Sequence, residues 1–186
     1  AVVLGTGGYA NVFYLSTNSR SLNSEEAKGL NYELGKNMKE SARLEKVDVL
    51  LASRSDSTLR GHFPDEVEAL ASGLGRRFDG VIIIPAFFEA GRYTIGDVHL
   101  VEKGGEIVSA DKTEFAKDPV FGYKNGNLRR WVEEKTGGAI KAEDVHSISI
   151  EAIREGGPEG VAEELSKVSN GMPVVARVYH KPISTL

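Results

Sequence analysis

Hydrophobic and polar positions along this chain follow two rhythms. Short β-branched and aromatic runs predict strands at residues 1–4, 11–17, 47–52, 80–85, 145–150 and 173–178. Between them, apolar residues recur every three or four positions, as on a helix with one buried face. Residues 23–44 carry Ala27, Leu30, Leu34 and Met38 at that spacing, behind a polar start of Ser24, Glu25 and Glu26. Pro64 opens a helix over residues 65–74, because proline is tolerated where the first-turn N–H has no partner. Asp65 and Glu66 complement the positive end of that helix, and Val67, Leu70, Ala71 and Leu74 form its apolar face. The run at 47–52 (VDVLLA) predicts a buried strand, and 80–85 (GVIIIP), the most apolar run, predicts a central parallel strand. Residues 97–102 and 106–109 flank Lys103-Gly104-Gly105 and predict a β-hairpin. One helical turn is predicted at 114–117 inside a loop-like stretch. Helices are predicted at 128–136, closed by Gly137-Gly138, and at 158–168. The pattern predicts an α/β fold: a three-layer sandwich with a mostly parallel sheet and an inserted hairpin.

Composition narrows the function classes. The 186 residues suit one domain, 1–186, with no internal repeat, low-complexity tract or linker. The absence of cysteine excludes disulfides, cysteine-ligated zinc, iron–sulfur clusters and thiol nucleophiles. Lys plus Arg is 23 against 27 for Asp plus Glu, a net charge of −4 that argues against a general nucleic-acid binder. No apolar run reaches the roughly 18–20 residues of a membrane span, and no signal peptide is visible. The expectation is a cytoplasmic protein with no membrane or nucleic-acid partner. Glycine is 21 of 186, above the average of roughly 7%, which fits a chain rich in turns or ligand loops.

Ligands of open α/β sheets bind beyond the carboxyl ends of the strands, so the residues that follow each strand carry the chemistry. These are Asn18-Ser19-Arg20-Ser21, then Ser53-Arg54-Ser55-Asp56-Ser57-Thr58-Leu59-Arg60-Gly61-His62, then Ala86-Phe87-Phe88-Glu89-Ala90-Gly91-Arg92. Each delivers arginine, whose fork binds carboxylate or phosphate through two parallel bonds. The first two add clustered hydroxyls, which suit a small polyol. The helix start at Pro64 favours an anion at the same edge. Together they describe a site for a small hydroxylated anion. Plainer roles exist for each residue. Ser/Asp/Thr clusters make turns and caps, Arg20 or Arg92 alone could pair with surface acids, and His62 could cap a helix. His99, His146 and His180 read as structural or exposed, without metal-ligand spacing, so no metal site is expected. Trp131, Phe121 and Tyr123 read as packing groups. Gly5-Thr6-Gly7-Gly8-Tyr9-Ala10 formally matches a dinucleotide fingerprint, but the strand-like residues after it exclude the required helix. There is no G-x-x-x-x-G-K-[ST] either.

The run Ser53-Arg54-Ser55-Asp56-Ser57-Thr58-Leu59-Arg60-Gly61-His62-Phe63-Pro64 resembles a signature of the four-carbon acid sugar kinase family. The segment Ile84-Pro85-Ala86-Phe87-Phe88-Glu89-Ala90-Gly91-Arg92-Tyr93-Thr94 resembles the family's second signature, and Ser16-Thr17-Asn18-Ser19-Arg20-Ser21-Leu22 a third. Thr113 to Tyr123 and Leu128 to Gly138 also resemble this family, so that the likeness runs from about Asn11 to Ala176. The resemblance implies the N-terminal, sugar-acid-binding domain of an ATP-dependent kinase of carbohydrate metabolism. Its substrates would be of the threonate, erythronate or 3-oxo-tetronate type. ATP and Mg²⁺ would serve the full-length enzyme, with no cofactor-binding residue in this segment. The partner would be a C-terminal ATP-binding domain of the same chain, and the oligomeric state is left open. The family's opening strand, ending in Asp-Asp-x-Thr-Gly, has no counterpart here, so an excerpt of a longer protein is expected. The implied substrate-binding set is Arg20, Arg54, Ser55, Ser57, Thr58, Arg60, Gly61, His62, Glu89, Gly91 and Arg92, with Arg60 and Arg92 first for the carboxylate. Asp56 is the implied catalytic residue, orienting or deprotonating the acceptor hydroxyl; the Asp-Asp motif is the other source of a base. A non-catalytic module that binds a sugar acid or a protein is the alternative.

Overall fold

A computed structural model describes residues 2–4 and 12–179. The glycine loop at 5–10 lies outside the described residues. The chain forms two compact units. The first holds the residues up to Leu51 together with Asp65–Arg76, and the second holds Ala52–Pro64 and the chain from Arg77 on.

In the first unit, β1 (Val2–Leu4) and β2 (Tyr14–Ser16) pair antiparallel. Helix α1 (Ser24–Glu45) then starts at a reciprocal cap: the Asn23 side chain accepts the Glu26 N–H at 3.0 Å, and Glu26 accepts the Asn23 N–H at 3.1 Å. It ends at Lys46, whose left-handed backbone (φ 55°) stops the helix. Helix α2 (Asp65–Leu74) has the predicted bounds. The buried line on α1 is Ala27, Asn31 and Gly35, while Leu30, Leu34 and Met38 are only half-buried. The helices approach too closely for large side chains: a Cβ on Gly35 would meet the Leu70 carbonyl, and one on Gly73 the Tyr32 carbonyl. Asn31 fills the remaining space and donates to Glu66 at 3.1 Å. Gly73→Ala should therefore destabilise the protein by roughly 1–2 kcal/mol, because the clash with rigid backbone outweighs the ~1 kcal/mol helix advantage of alanine. Gly29→Ala, with nothing within 4 Å of the new methyl, should stabilise it instead. Urea melts of the two variants would show opposite signs.

Residues 47–52 are not the predicted buried strand. They are irregular, and Leu50 is 92% exposed. Among the described residues no strand takes up their backbone groups, and Arg76 instead holds Asp48 at 3.1 Å.

The second unit contains a parallel sheet of β3 (Gly80–Ile83), β7 (His146–Ile148) and β8 (Met172–Ala176), in the order β3-β8-β7. Among the described residues, the run predicted to be central is thus parallel but lies at the edge of this sheet. β8 takes the centre because it pairs on both sides, with Val174 and Val175 fully buried, whereas Ile82 on β3 is 49% exposed. An antiparallel sheet follows in the order β4-β5-β6, formed by β4 (Arg92–Ile95), β5 (Val98–Lys103) and β6 (Glu106–Ser109). The predicted hairpin is β5–β6. Gly104 and Gly105 both have positive φ, as its two-residue turn requires. Strand β4, between Gly91 and Gly96, was not expected. Helices α3 (Leu128–Lys135) and α4 (Ile150–Arg154) follow side-chain caps at Asn127 and Ser149, and α5 (Gly157–Ser166) carries Pro158 in its first turn. The α/β class holds, with a parallel sheet and an inserted hairpin.

The main core of this unit joins Leu59, Val101, Leu128, Trp131, Val132, Val145 and Val175, with Phe63 stacked on Trp131 at 4.8 Å. A buried ion pair ties the two sheets together. Arg177, just past β8, donates to both Asp97 oxygens at 2.7 and 3.0 Å, and Ser147 on β7 donates to the same carboxylate.

Candidate functional site

Around the segment Ala52–Pro64 the chain is irregular except for one tight turn. The Leu59 N–H donates to the Asp56 carbonyl at 3.1 Å, and Leu59 has φ 65°. A left-handed leucine is unfavourable, so burial must hold it there; its side chain is 5% exposed within the core. The turn is anchored from below. His99 on β5 bonds the Ser57 carbonyl through Nε2 at 2.7 Å, and the Tyr123 hydroxyl donates to the Thr58 carbonyl at 2.9 Å. Burial, with the negative charge of Asp56, pushes the Tyr123 phenol up to about 12, so it remains a donor. Lys135 donates to the Phe121 and Gly122 carbonyls at 3.1 and 2.8 Å and so fixes the backbone beside Tyr123. Burial pulls its ammonium below the usual lysine range.

Above the turn, polar groups converge. One Asp56 oxygen accepts from the Thr58 hydroxyl and from Arg60 Nε, the latter at 2.7 Å. Ser55 donates to the Arg60 carbonyl at 3.2 Å, and Gly61 has no Cβ because one would collide with the Ser55 hydroxyl. The Arg60 guanidinium lies 5.0 Å from the centre of the Phe115 ring, with its Nη1 3.8 Å from Asp118. Arg92, at the start of β4, places its guanidinium 5.4 Å from the centre of the same ring. Arg92 donates to the Ala90 carbonyl, while its buried Nε–H has no acceptor among the described residues. Two guanidinium groups therefore share one aromatic ring and concentrate positive charge there. Such an arrangement attracts an acceptor-rich anion.

Four other predicted residues take other positions in the second unit. Arg54 is exposed on the approach to the turn. His62 is buried edge-on against Phe121 at 4.8 Å. Glu89 and Gly91 line an open hollow of about 420 Å³ with Phe88, Tyr93 and Glu102. Gly91 has φ 66°, and a Cβ there would sit 2.5 Å from Glu102 Cβ. With two carboxylates, that hollow does not suit an anion. Arg20 belongs to the first unit, exposed on a 3-10 turn at Ser19–Ser21. Sequence reasoning missed Phe115, His99, Tyr123 and Asp118 as parts of the site, because each reaches it from a distant element.

Comparison with known proteins then identifies the family. Residues 3–179 match the sugar-binding N-terminal domain family. The chain belongs to this family. The sugar-binding domain is 32% identical over 117 residues to a D-erythronate kinase of Heliobacterium modesticaldum, covering 62% of this chain and 24% of that protein. It spans about a quarter of the length of that curated relative. A crystal structure of a Haemophilus influenzae protein matches 95% of the domain and 41% of its own chain, with a TM-score of 0.64 at 17% identity, and so shares its fold. These matches bear out the resemblance to four-carbon acid sugar kinases. Among the described residues, no helix is long and apolar enough to cross a membrane.

Proposed function

We propose that this chain is the sugar-acid-binding domain of an ATP-dependent kinase that phosphorylates a four-carbon acid sugar. The observation that carries the reading is the Arg60–Phe115–Arg92 cluster, whose Arg60 comes from the same turn as the Ser55, Ser57 and Thr58 hydroxyls and donates to the Thr58 oxygen at 2.9 Å. The acid's carboxylate would bind the two guanidinium groups, and its hydroxyls would bind the serine and threonine oxygens. Asp56, paired with Arg60 at 2.7 Å, would orient that arginine and the acceptor hydroxyl. The proton of that hydroxyl would pass either to Asp56 itself or to a base outside this segment.

The family and the kinase relative support a phosphoryl donor bound elsewhere in the full-length enzyme, together with Mg²⁺. The described residues contain no group of three His, Asp or Glu that could hold a metal ion, and the sequence has no Walker-type phosphate loop. Calorimetric titration tests the reading. D-erythronate or D-threonate should bind roughly 10–100-fold more tightly than erythritol, which lacks the carboxylate. Equal affinity for erythritol, or no binding of any four-carbon acid, would overturn it.

A further inference from the structure

We propose that His99 is the positioning residue of the Asp56–Arg60 turn, donating its Nε2–H to the Ser57 carbonyl from inside the antiparallel sheet and so fixing the groups displayed above. The inference rests on the proposed sugar-acid site for its meaning, but its geometry is independent of any ligand. His99 is fully buried on β5, yet its ring bonds a backbone oxygen 42 residues away in sequence, at 2.7 Å. A carbonyl can only accept, so Nε2 carries the proton. Nδ1 faces the Thr94 hydroxyl at 3.3 Å and accepts from it in the neutral ring. A carbonyl turned toward a buried ring on a strained turn needs such a donor, because an acceptor left unmet there is costly.

The charges around the ring favour this state. Burial holds the imidazole below the usual histidine range; the Ser57 carbonyl and the Tyr93 backbone oppose that, Arg92 on β4 reinforces it, and Asp56 in the turn opposes it. Protonation would bury a cation beside Arg92, a cost that the Nε2–H bond to the Ser57 carbonyl, kept in the charged ring, offsets only in part. Acidification should therefore loosen the turn.

The test follows the Thr58 amide by ¹⁵N NMR in the ligand-free chain, since that nitrogen adjoins the Ser57 carbonyl. Its resonance should move as the His99 ring titrates. In His99→Gln, whose amide can still donate at that distance, it should stay near the wild-type neutral-pH position at every pH. His99→Phe should displace it at all pH values and weaken D-erythronate binding roughly tenfold. His99→Gln should restore most of that affinity and remove its acid-side decline. A Thr58 resonance that ignores the His99 titration overturns the proposal, even if His99→Phe fails to fold. A resonance that follows His99 in a protein that binds no four-carbon acid supports the positioning role and sinks the substrate reading instead.

Discussion

Arg60→Ala should weaken D-erythronate binding by about 10–100-fold, a loss of ~1.5–3 kcal/mol for one charged contact. The effect has two parts. The variant deletes one of the two guanidinium groups on Phe115, and it leaves Asp56 without the Nε donor 2.7 Å away. Both partners are mostly withdrawn from solvent, with side chains 24% and 17% exposed, so water replaces the lost partner poorly. Arg60→Lys should recover only part of the affinity, because an ammonium keeps the charge but neither spans two oxygens nor stacks flat on the ring. Calorimetry on variants that retain the wild-type circular dichroism measures both. Unchanged affinity in Arg60→Ala would remove Arg60 from the site.

The largest stability change should come from Arg177→Met. This variant leaves the Asp97 carboxylate, 7% exposed, without its two-pronged partner. Breaking a buried pair costs about 3–5 kcal/mol. Arg177 keeps 32% of its side chain in water, so roughly 2–3 kcal/mol is expected. The loss should depend on pH with a definite sign. Burial alone would raise the Asp97 carboxyl, but hydrogen bonds from Arg177 and Ser147 prevail and hold it below the usual carboxylate range. A group whose folded value is depressed stabilises fully above its unfolded value, about 3.9 for aspartate, and loses that contribution as pH falls through the folded one. Urea melts should therefore separate wild type and Arg177→Met widely at pH 7, with a gap that narrows progressively as pH falls below about 3.9. A gap that did not shrink would show that the variant acts through packing alone.

Much of this architecture was legible in the sequence where the cause is local. The bounds of α2, the turn at Glu114–Lys117 and the β5–β6 hairpin follow from a proline, from acidic first-turn residues and from paired glycines. The errors all concern partners. Residues 47–52 have the composition of a strand, but a strand exists only where a neighbour accepts its bonds. The run at 80–85 is more apolar than β8, yet β8 holds the centre because it pairs on both sides. Strand β4 is short and lies between glycines, so its pairing with β5 left no local mark. The same divide runs through the candidate site. Arg60 and Arg92 were visible as charged residues just after strand-like runs. Phe115, which brings them onto one ring, was not, and neither were His99 and Tyr123, whose bonds span 42 and 65 residues.

The left-handed Leu59 gives this site a rigidity that its exposed rim does not suggest. Its side chain packs with Val101, Leu128 and Trp131, so the turn cannot take another shape without withdrawing a leucine from the core. The rim is therefore shaped during folding, before any ligand arrives. Little backbone freedom remains to be lost on binding, and that saving goes directly into affinity. A ligand recognised here would meet a nearly finished mould, and discrimination among acids that differ in one stereocentre can then rest on fit rather than on rearrangement.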